Sequence, residues 1–233
     1  MSANITQSAA KDPLCGIARS EARGSLCTGL RIRPQLRVRL IGSRFVFLDL
    51  TASRYFLLEG VGAERFASFC DETANDDDIG WLQERRIIEV GSPLAPPLLP
   101  SPPARSVFDT PSPLARPWLV AEALAEQSVA RRRVRRETLA ELLKPAESCA
   151  FDPDACRAIA AACRAAARYR SAVDQCLPNA LAMGKMLARR GIGAELVIGV
   201  MLPFAAHCWL QSGDLVLSDP FGSVQNFHPL VAT

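Results

Sequence analysis

Histidine is nearly missing from this chain: two in 233 residues, His207 and His228, so chemistry that needs an imidazole has only two places to be. Zinc sites built on several histidines are excluded by that count, and the eight cysteines offer no C-x-x-C spacing from which a knuckle could form. Eight thiols in a chain this long are also too sparse for a disulfide scaffold. Neither a metal nor a cofactor is expected. No run approaches the roughly 18 apolar residues of a membrane span, and Met1 to Lys11 lacks the regions of a signal peptide, so the expectation is cytoplasmic with no membrane partner. A net charge of +3 is too small to argue for nucleic acid. What is there is a globular composition, 49% hydrophobic with a mean hydropathy of +0.10, enough for one large or two small cores.

The stretch from Cys176 to Asp219 carries the chemistry. Leu177, Ala180, Leu181, Gly184, Leu187 and Ala188 recur at helical spacing, and Gly191 after Arg189 and Arg190 is a stop signal. Pro178 is tolerated only in a helix's first turn, so Cys176 belongs at or just before the N-terminus, where unpaired N–H groups and the dipole favour a thiolate. Glu195 to Leu202 predicts a buried strand. Two alternating runs around Ser212, Gly213 and Asp214 then predict a hairpin, with Asp214 as a turn residue. A three-residue loop would set His207 directly opposite Asp219, so that the carboxylate accepts the imidazole Nδ1–H and leaves Nε2 to face a thiol. Cys176, His207 and Asp219 are therefore the candidate nucleophile, base and orienter, and a one-residue slip would part the last two. Cys208 alternates away from His207 and is expected to pack behind the site. Asp174 and Gln175 are candidate caps, Gln175 and the Cys176 N–H candidate oxyanion ligands, and His228 a surface or packing residue.

These residues carry a resemblance. Cys176-Leu177, Arg189-Arg190-Gly191, Ile198-Gly199-Val200, Pro203-Phe204, Ala206-His207 with Trp209, and Asp219 resemble the core pattern of the papain/transglutaminase-like leader peptidase of lasso peptide biosynthesis, the B protein, over about Ala158 to Leu230. The resemblance implies a cysteine peptidase with a Cys176, His207, Asp219 triad that removes the leader from a ribosomally made precursor. The core peptide then passes to an asparagine-synthetase-like lasso macrocyclase, through which any ATP dependence would come. A transglutaminase-like acyl transferase and a non-catalytic precursor-binding chaperone are the alternatives.

In chain order, residues 1–30 show no period and are expected to be mobile. From Gln35, alternation through Leu36, Val38 and Leu40, then Phe45 to Leu50, then Tyr55 to Leu58 predicts a three-stranded meander, followed by helices over Val61 to Cys70 and through Ile79 and Leu82, and an apolar segment at Ile87 and Ile88. Arg54-Tyr55-Phe56-Leu57-Leu58 and Ile79-Gly80-Trp81-Leu82 make residues 31–92 similar to the PqqD-like, winged-helix-like leader-recognition element. Members of that family add the leader as a strand at the sheet edge, which implies leader-binding roles for Tyr55, Phe56, Leu57, Ile79, Leu82 and Arg85. Nine prolines between Ser92 and Pro117 predict an extended linker over residues 93–117. Helical period returns from Trp118, interrupted by five arginines at Arg131 to Arg136, and Asp152-Pro153 opens a further helix. The arginine run is a solvated helix face, a dock for an acidic partner or a phosphate, or, least favoured without interleaved aromatics, a nucleic-acid contact. Cys149, Cys156 and Cys163, seven apart, fit one buried helix face, while Cys15, Cys27 and Cys70 give no signal. The expected fold is α+β, a PqqD-like three-stranded module joined to a papain/transglutaminase-like peptidase domain at 118–233.

Overall fold

The computed structural model describes residues 29–92, 99–143, 151–169 and 175–233. Cys15, Cys27, Cys149, Asp174, the first part of the expected linker and almost all of the expected mobile segment lie outside the described residues. The first portion carries β1 (Leu30–Ile32), β2 (Leu36–Ile41), β3 (Arg44–Asp49), β4 (Arg54–Leu58), α1 (Val61–Cys70), α2 (Asp76–Glu84) and β5 (Ile88–Val90). The rest carries β6 (Arg105–Ser106), α3 (Pro117–Val134), α4 (Leu139–Leu142), α5 (Pro153–Ala167), α6 (Cys176–Ala188), β7 (Glu195–Met201), β8 (Ala205–Ser212), β9 (Leu215–Val216), α7 (Phe221–Val224) and β10 (His228–Ala232). It is a mixed α/β chain. No helix among the described residues is long and apolar enough to cross a membrane.

Contacts divide these residues into two compact units, a smaller one of 29–36 with 58–92 and a larger one of 37–57 with 99–233. The boundary differs from the one expected, because most of the meander falls outside the smaller unit. The reason is packing. Val46, Leu48 and Leu50 on and after β3 are buried in the same core as Val107, Leu119, Leu142, Ile159 and Met183. Alternation marks a strand as half-buried and does not say which partner buries it.

In the smaller unit β1 pairs antiparallel with β5, Leu30 facing Val90 and Ile32 facing Ile88. The chain is thus already ordered into a strand at the end of the segment expected to be mobile. Asn75 starts α2 with a reciprocal capping box, its side chain accepting the Asp78 N–H while the Asp78 carboxylate accepts the Asn75 N–H. Phe66, Leu82 and Ile87 fill the interior.

In the larger unit β2, β3 and β4 form the expected meander, and a five-stranded sheet runs in the order β10-β7-β8-β9-β6. The alternation of β7 and β8 sorts that sheet into two faces. Ile198, Val200, Cys208 and Leu210 join the core made with α3, α5 and α6, while Val197 and Trp209 join Val216, Val224 and Phe227 on the other side. The Arg189-Arg190-Gly191 signature closes α6. Gly191 takes the left-handed conformation (φ 71°), and the two arginines bind Glu122 and Glu126 of α3 at 2.6–3.5 Å. Those ion pairs tie the end of the α6 helix to its neighbour.

The expected linker needs correction where it is described. Arg105 and Ser106 pair in parallel with Leu215 and Val216, and Val107 is buried. Prolines at 102 and 103 bar a central strand but not a two-residue edge strand just beyond them, which is what β6 is.

Candidate active site

Cys176 is the first residue of α6, with Pro178 buried in the first turn. Arg131 of α3 donates from Nε at 2.8 Å, and from its second guanidinium nitrogen, to Gln175 Oε1, fixing the residue before the cysteine. One arginine of the run therefore points into the protein, and Arg133 pairs with Glu137, while Arg132, Arg135 and Arg136 are exposed.

His207 stands on β8, opposite Gly199 of β7. The glycine is required there, because a Cβ would lie 2.6 Å from the Trp209 ring and 3.0 Å from Phe227. The bare backbone admits the indole, which stacks beside His207 with ring centroids 6.3 Å apart and donates from Nε1 to Gln211 Oε1 at 2.8 Å. Gln211 is held in turn by the carbonyls of Ser101 and Gly213. The Ile198-Gly199-Val200 signature thus serves the imidazole on the next strand.

The structure brings His207 and Asp219 together, but by another route than the hairpin register. Gln211 pairs with Val216 and Ser212 with Leu215, a two-residue loop that is one position away from the expected pairing. Such a slip would separate the pair if the ladder continued. It stops after Leu217, whose N–H still donates to the Leu210 carbonyl at 2.8 Å, and the chain bends so that Asp219 Oδ1 reaches His207 Nε2 at 3.0 Å. Serines hold the bend. Ser218 Oγ accepts from Leu210 N–H and donates to Asp219 Oδ2 at 2.5 Å, and Ser106 Oγ donates to the Asp219 carbonyl at 2.6 Å. No local pattern marks Ser106, which lies 113 positions from Asp219.

The imidazole is also turned over relative to expectation. Nε2 meets the carboxylate, leaving Nδ1 for the hydrogen bond with Cys176. The Cys176 sulfur lies against the main chain of β8, where it also accepts the Cys208 N–H, and the nitrogen nearer the backbone is the one within its reach. That N–H is available because β9 pairs only with the far end of β8.

Charge follows from these contacts. The Cys176 thiol is lowered to about 4, first by a hydrogen bond from the Cys208 thiol, then by His207 and the Cys208 N–H, all acting against burial. His207 is raised to about 9 by its hydrogen bond to Asp219, then by Cys176. Between those values the pair is thiolate and imidazolium. Cys208 is pushed well up by its hydrogen bond to Cys176 and by burial, so it stays a thiol. It does pack in the core behind the site.

The residues implied as leader ligands are placed variously. Tyr55, Phe56 and Leu57 lie on β4, the edge of its sheet. Phe56 stacks on Phe47 at 4.7 Å, and Leu57 is exposed. Tyr55 packs against the core that holds Cys208 and meets Phe204 edge to face at 5.2 Å. Its phenol is raised, chiefly by burial. On α2, Ile79 is half-buried and Arg85, at the C-cap, stacks over Trp81 at 3.9 Å. Leu82 is fully buried and has no surface to offer a peptide, a correction to its implied role. His228 is exposed at the start of β10, and Cys156 is buried on α5. Among the described residues, no group of three or more His, Cys, Asp or Glu side chains could hold a metal ion.

The sequence pattern of the transglutaminase-like superfamily matches residues 116–232. No curated protein and no solved structure matches the chain.

Proposed function

This chain belongs to the transglutaminase-like superfamily, and from that premise we propose that it is a cysteine peptidase that removes the leader of a lasso peptide precursor. The superfamily typically carries Cys-His-Asp enzymes of cysteine-protease type, and its domain is consistent with peptidase or acyl-transfer chemistry. The observation that carries the reading is the relay of hydrogen bonds from Cys176 through His207 to Asp219, 3.0 Å at its second link. The Cys176 thiolate attacks the scissile carbonyl, and the α6 N-terminus, with the Cys176 N–H, stabilises the oxyanion. His207 gives its proton to the leaving amine, then takes one from the water that cleaves the thioester. Asp219 keeps the ring oriented for both transfers.

Leader recognition is assigned to the edge of β4, where a peptide backbone can add as a further strand, in a PqqD-like manner. Tyr55 lies on that same strand and packs against the core that holds Cys208 and that Cys176 also meets, so a peptide bound along β4 would run on the nucleophile's side of the fold. The lasso macrocyclase would receive the freed core peptide, in the cytoplasm. Mass spectrometry of a candidate precursor incubated with the full chain tests this. The leader should appear as a separate product, Cys176→Ala should yield none, and leader affinity in that variant should stay within about threefold, since the change removes one sulfur atom away from the strand edge. Transfer of the acyl group to an added amine in place of hydrolysis would identify the acyl-transferase alternative, and cleavage by Cys176→Ala would refute the nucleophile.

A further inference from the structure

Residues 101–109 lie ahead of the stretch 116–232 that matches the superfamily pattern, so that pattern does not account for them. They are nonetheless tied to the supports of two triad residues. The Ser101 carbonyl accepts from Gln211 Nε2 at 2.8 Å, and Gln211 Oε1 accepts from Nε1 of Trp209, the indole that stacks beside His207. Further on, Ser106 Oγ donates to the Asp219 carbonyl at 2.6 Å. Gln211 is fully buried and Ser106 is 4% exposed, which places both side chains where a low dielectric strengthens a hydrogen bond. The segment is firmly held, since each amide from Ala104 to Asp109 donates a hydrogen bond.

The segment also completes the sheet beside the site. β9 is two residues long and leads toward Asp219, and a strand that short is marginal with a neighbour on one side alone. β6 lies along its other edge, and Val107 continues the contact, donating to the Val216 carbonyl at 2.9 Å while its side chain is buried in the core. Ser218 sets where the Asp219 carboxylate points, whereas Ser106 sets where its main chain stands.

We propose that Ser101 to Asp109 form a strap that belongs to the active site, with Ser106 as a positioning residue for Asp219 and Gln211 as one for His207. Ser106 acts by fixing the main chain from which the carboxylate reaches the imidazole, and Gln211 by holding the indole beside the ring. Loosening the strap weakens the hydrogen bond between His207 and Asp219 while leaving β4, to which leader binding is assigned, in place.

The kinetic readout of this strap rests on the peptidase reading and the spectroscopic one does not, so the two can fail separately. The chain has two histidines, and His228→Gln leaves His207 as the one imidazole. Proton NMR of full-length His228→Gln, labelled with nitrogen-15 histidine, should show a downfield N–H signal from the nitrogen bound to Asp219. Adding Ser106→Ala should move that signal upfield or broaden it. In precursor cleavage Ser106→Ala should lower kcat by about 2- to 12-fold, the range for one lost hydrogen bond, with KM unchanged. Gln211→Leu should lower kcat likewise and alter Trp fluorescence. A precursor left uncut by every form would remove the peptidase reading, and the imidazole signal would still decide the strap. Hydrogen exchange on the unaltered chain covers a variant that does not fold, because residues 104–109 should be protected along with β8 and β9. Free-chain exchange there, or an imidazole signal and kcat indifferent to Ser106→Ala, overturns the proposal.

Discussion

Alkylation of Cys176 by iodoacetamide, followed from acid to alkaline pH, reads the ion pair directly. With the thiol lowered to about 4, the reactive form is present above that pH and lost below it. With His207 raised to about 9, the imidazolium persists until that pH and is lost above it. Alkylation needs only the thiolate, so it should rise near pH 4 and hold level, whereas peptide cleavage also needs a proton for the leaving amine and should fall again near pH 9. The position of the rise matters more than its height. At pH 6 a cysteine with the ordinary value near 9 is about one-thousandth thiolate, but its nucleophilicity is greater by about 100- to 300-fold for a Brønsted coefficient of 0.4–0.5, a net loss of only about three- to tenfold. Removing the imidazole in His207→Ala should move the rise upward, yet leave it below the ordinary cysteine value, because the Cys208 thiol and N–H still donate to the sulfur. Asp219→Asn should bring the alkaline limb of cleavage down, since the carboxylate is the first cause of the raised imidazole. A rise near the ordinary thiol value in the unaltered protein, or one that His207→Ala fails to move, would refute the ion pair.

Gly199→Ala forces a Cβ to 2.6 Å from the Trp209 ring, so stability should fall by about 1–3 kcal/mol, read in denaturant melts, with altered Trp fluorescence. Ser106→Ala removes the hydrogen bond to the Asp219 carbonyl. Stability should drop by about 0.5–1.5 kcal/mol and cleavage should slow, whereas an inert linker serine would change neither. Tyr55→Phe keeps the ring on Phe204 and deletes only the hydroxyl, so steady-state kinetics should show a lower kcat with leader affinity unchanged if Tyr55 serves the sulfurs, and the reverse if it serves the leader. A fragment of residues 117–233 loses the partners Val46, Leu48 and Leu50, worth roughly 1.5–3 kcal/mol each on burial, and should show a melt of low cooperativity, whereas residues 37–233 should fold better.

Much of the site was legible along the chain because helical and strand periods are local. Pro178 by itself restricts Cys176 to a helix start, and the alternation of β8 puts His207 and Cys208 on opposite faces whatever surrounds them. The meander from Leu36 to Leu58 and the stop at Gly191 follow from the same short-range rules. Contacts without a sequence spacing were decided only by tertiary structure. Alternation made β3 a strand, while the core beneath it came from helices more than sixty positions away. A proline count read residues 93–117 as linker, although two of them needed only a free edge on β9 to become a strand and bring Ser106 to Asp219. The hairpin register is set by loop geometry to within one residue, and the meeting of His207 with Asp219 depended instead on where the ladder ends and how the serines hold the bend. The ring nitrogen that faces Cys176 was beyond any pattern, because both orientations of the imidazole share one residue name and only the tertiary placement of Asp219 and Cys176 chooses between them.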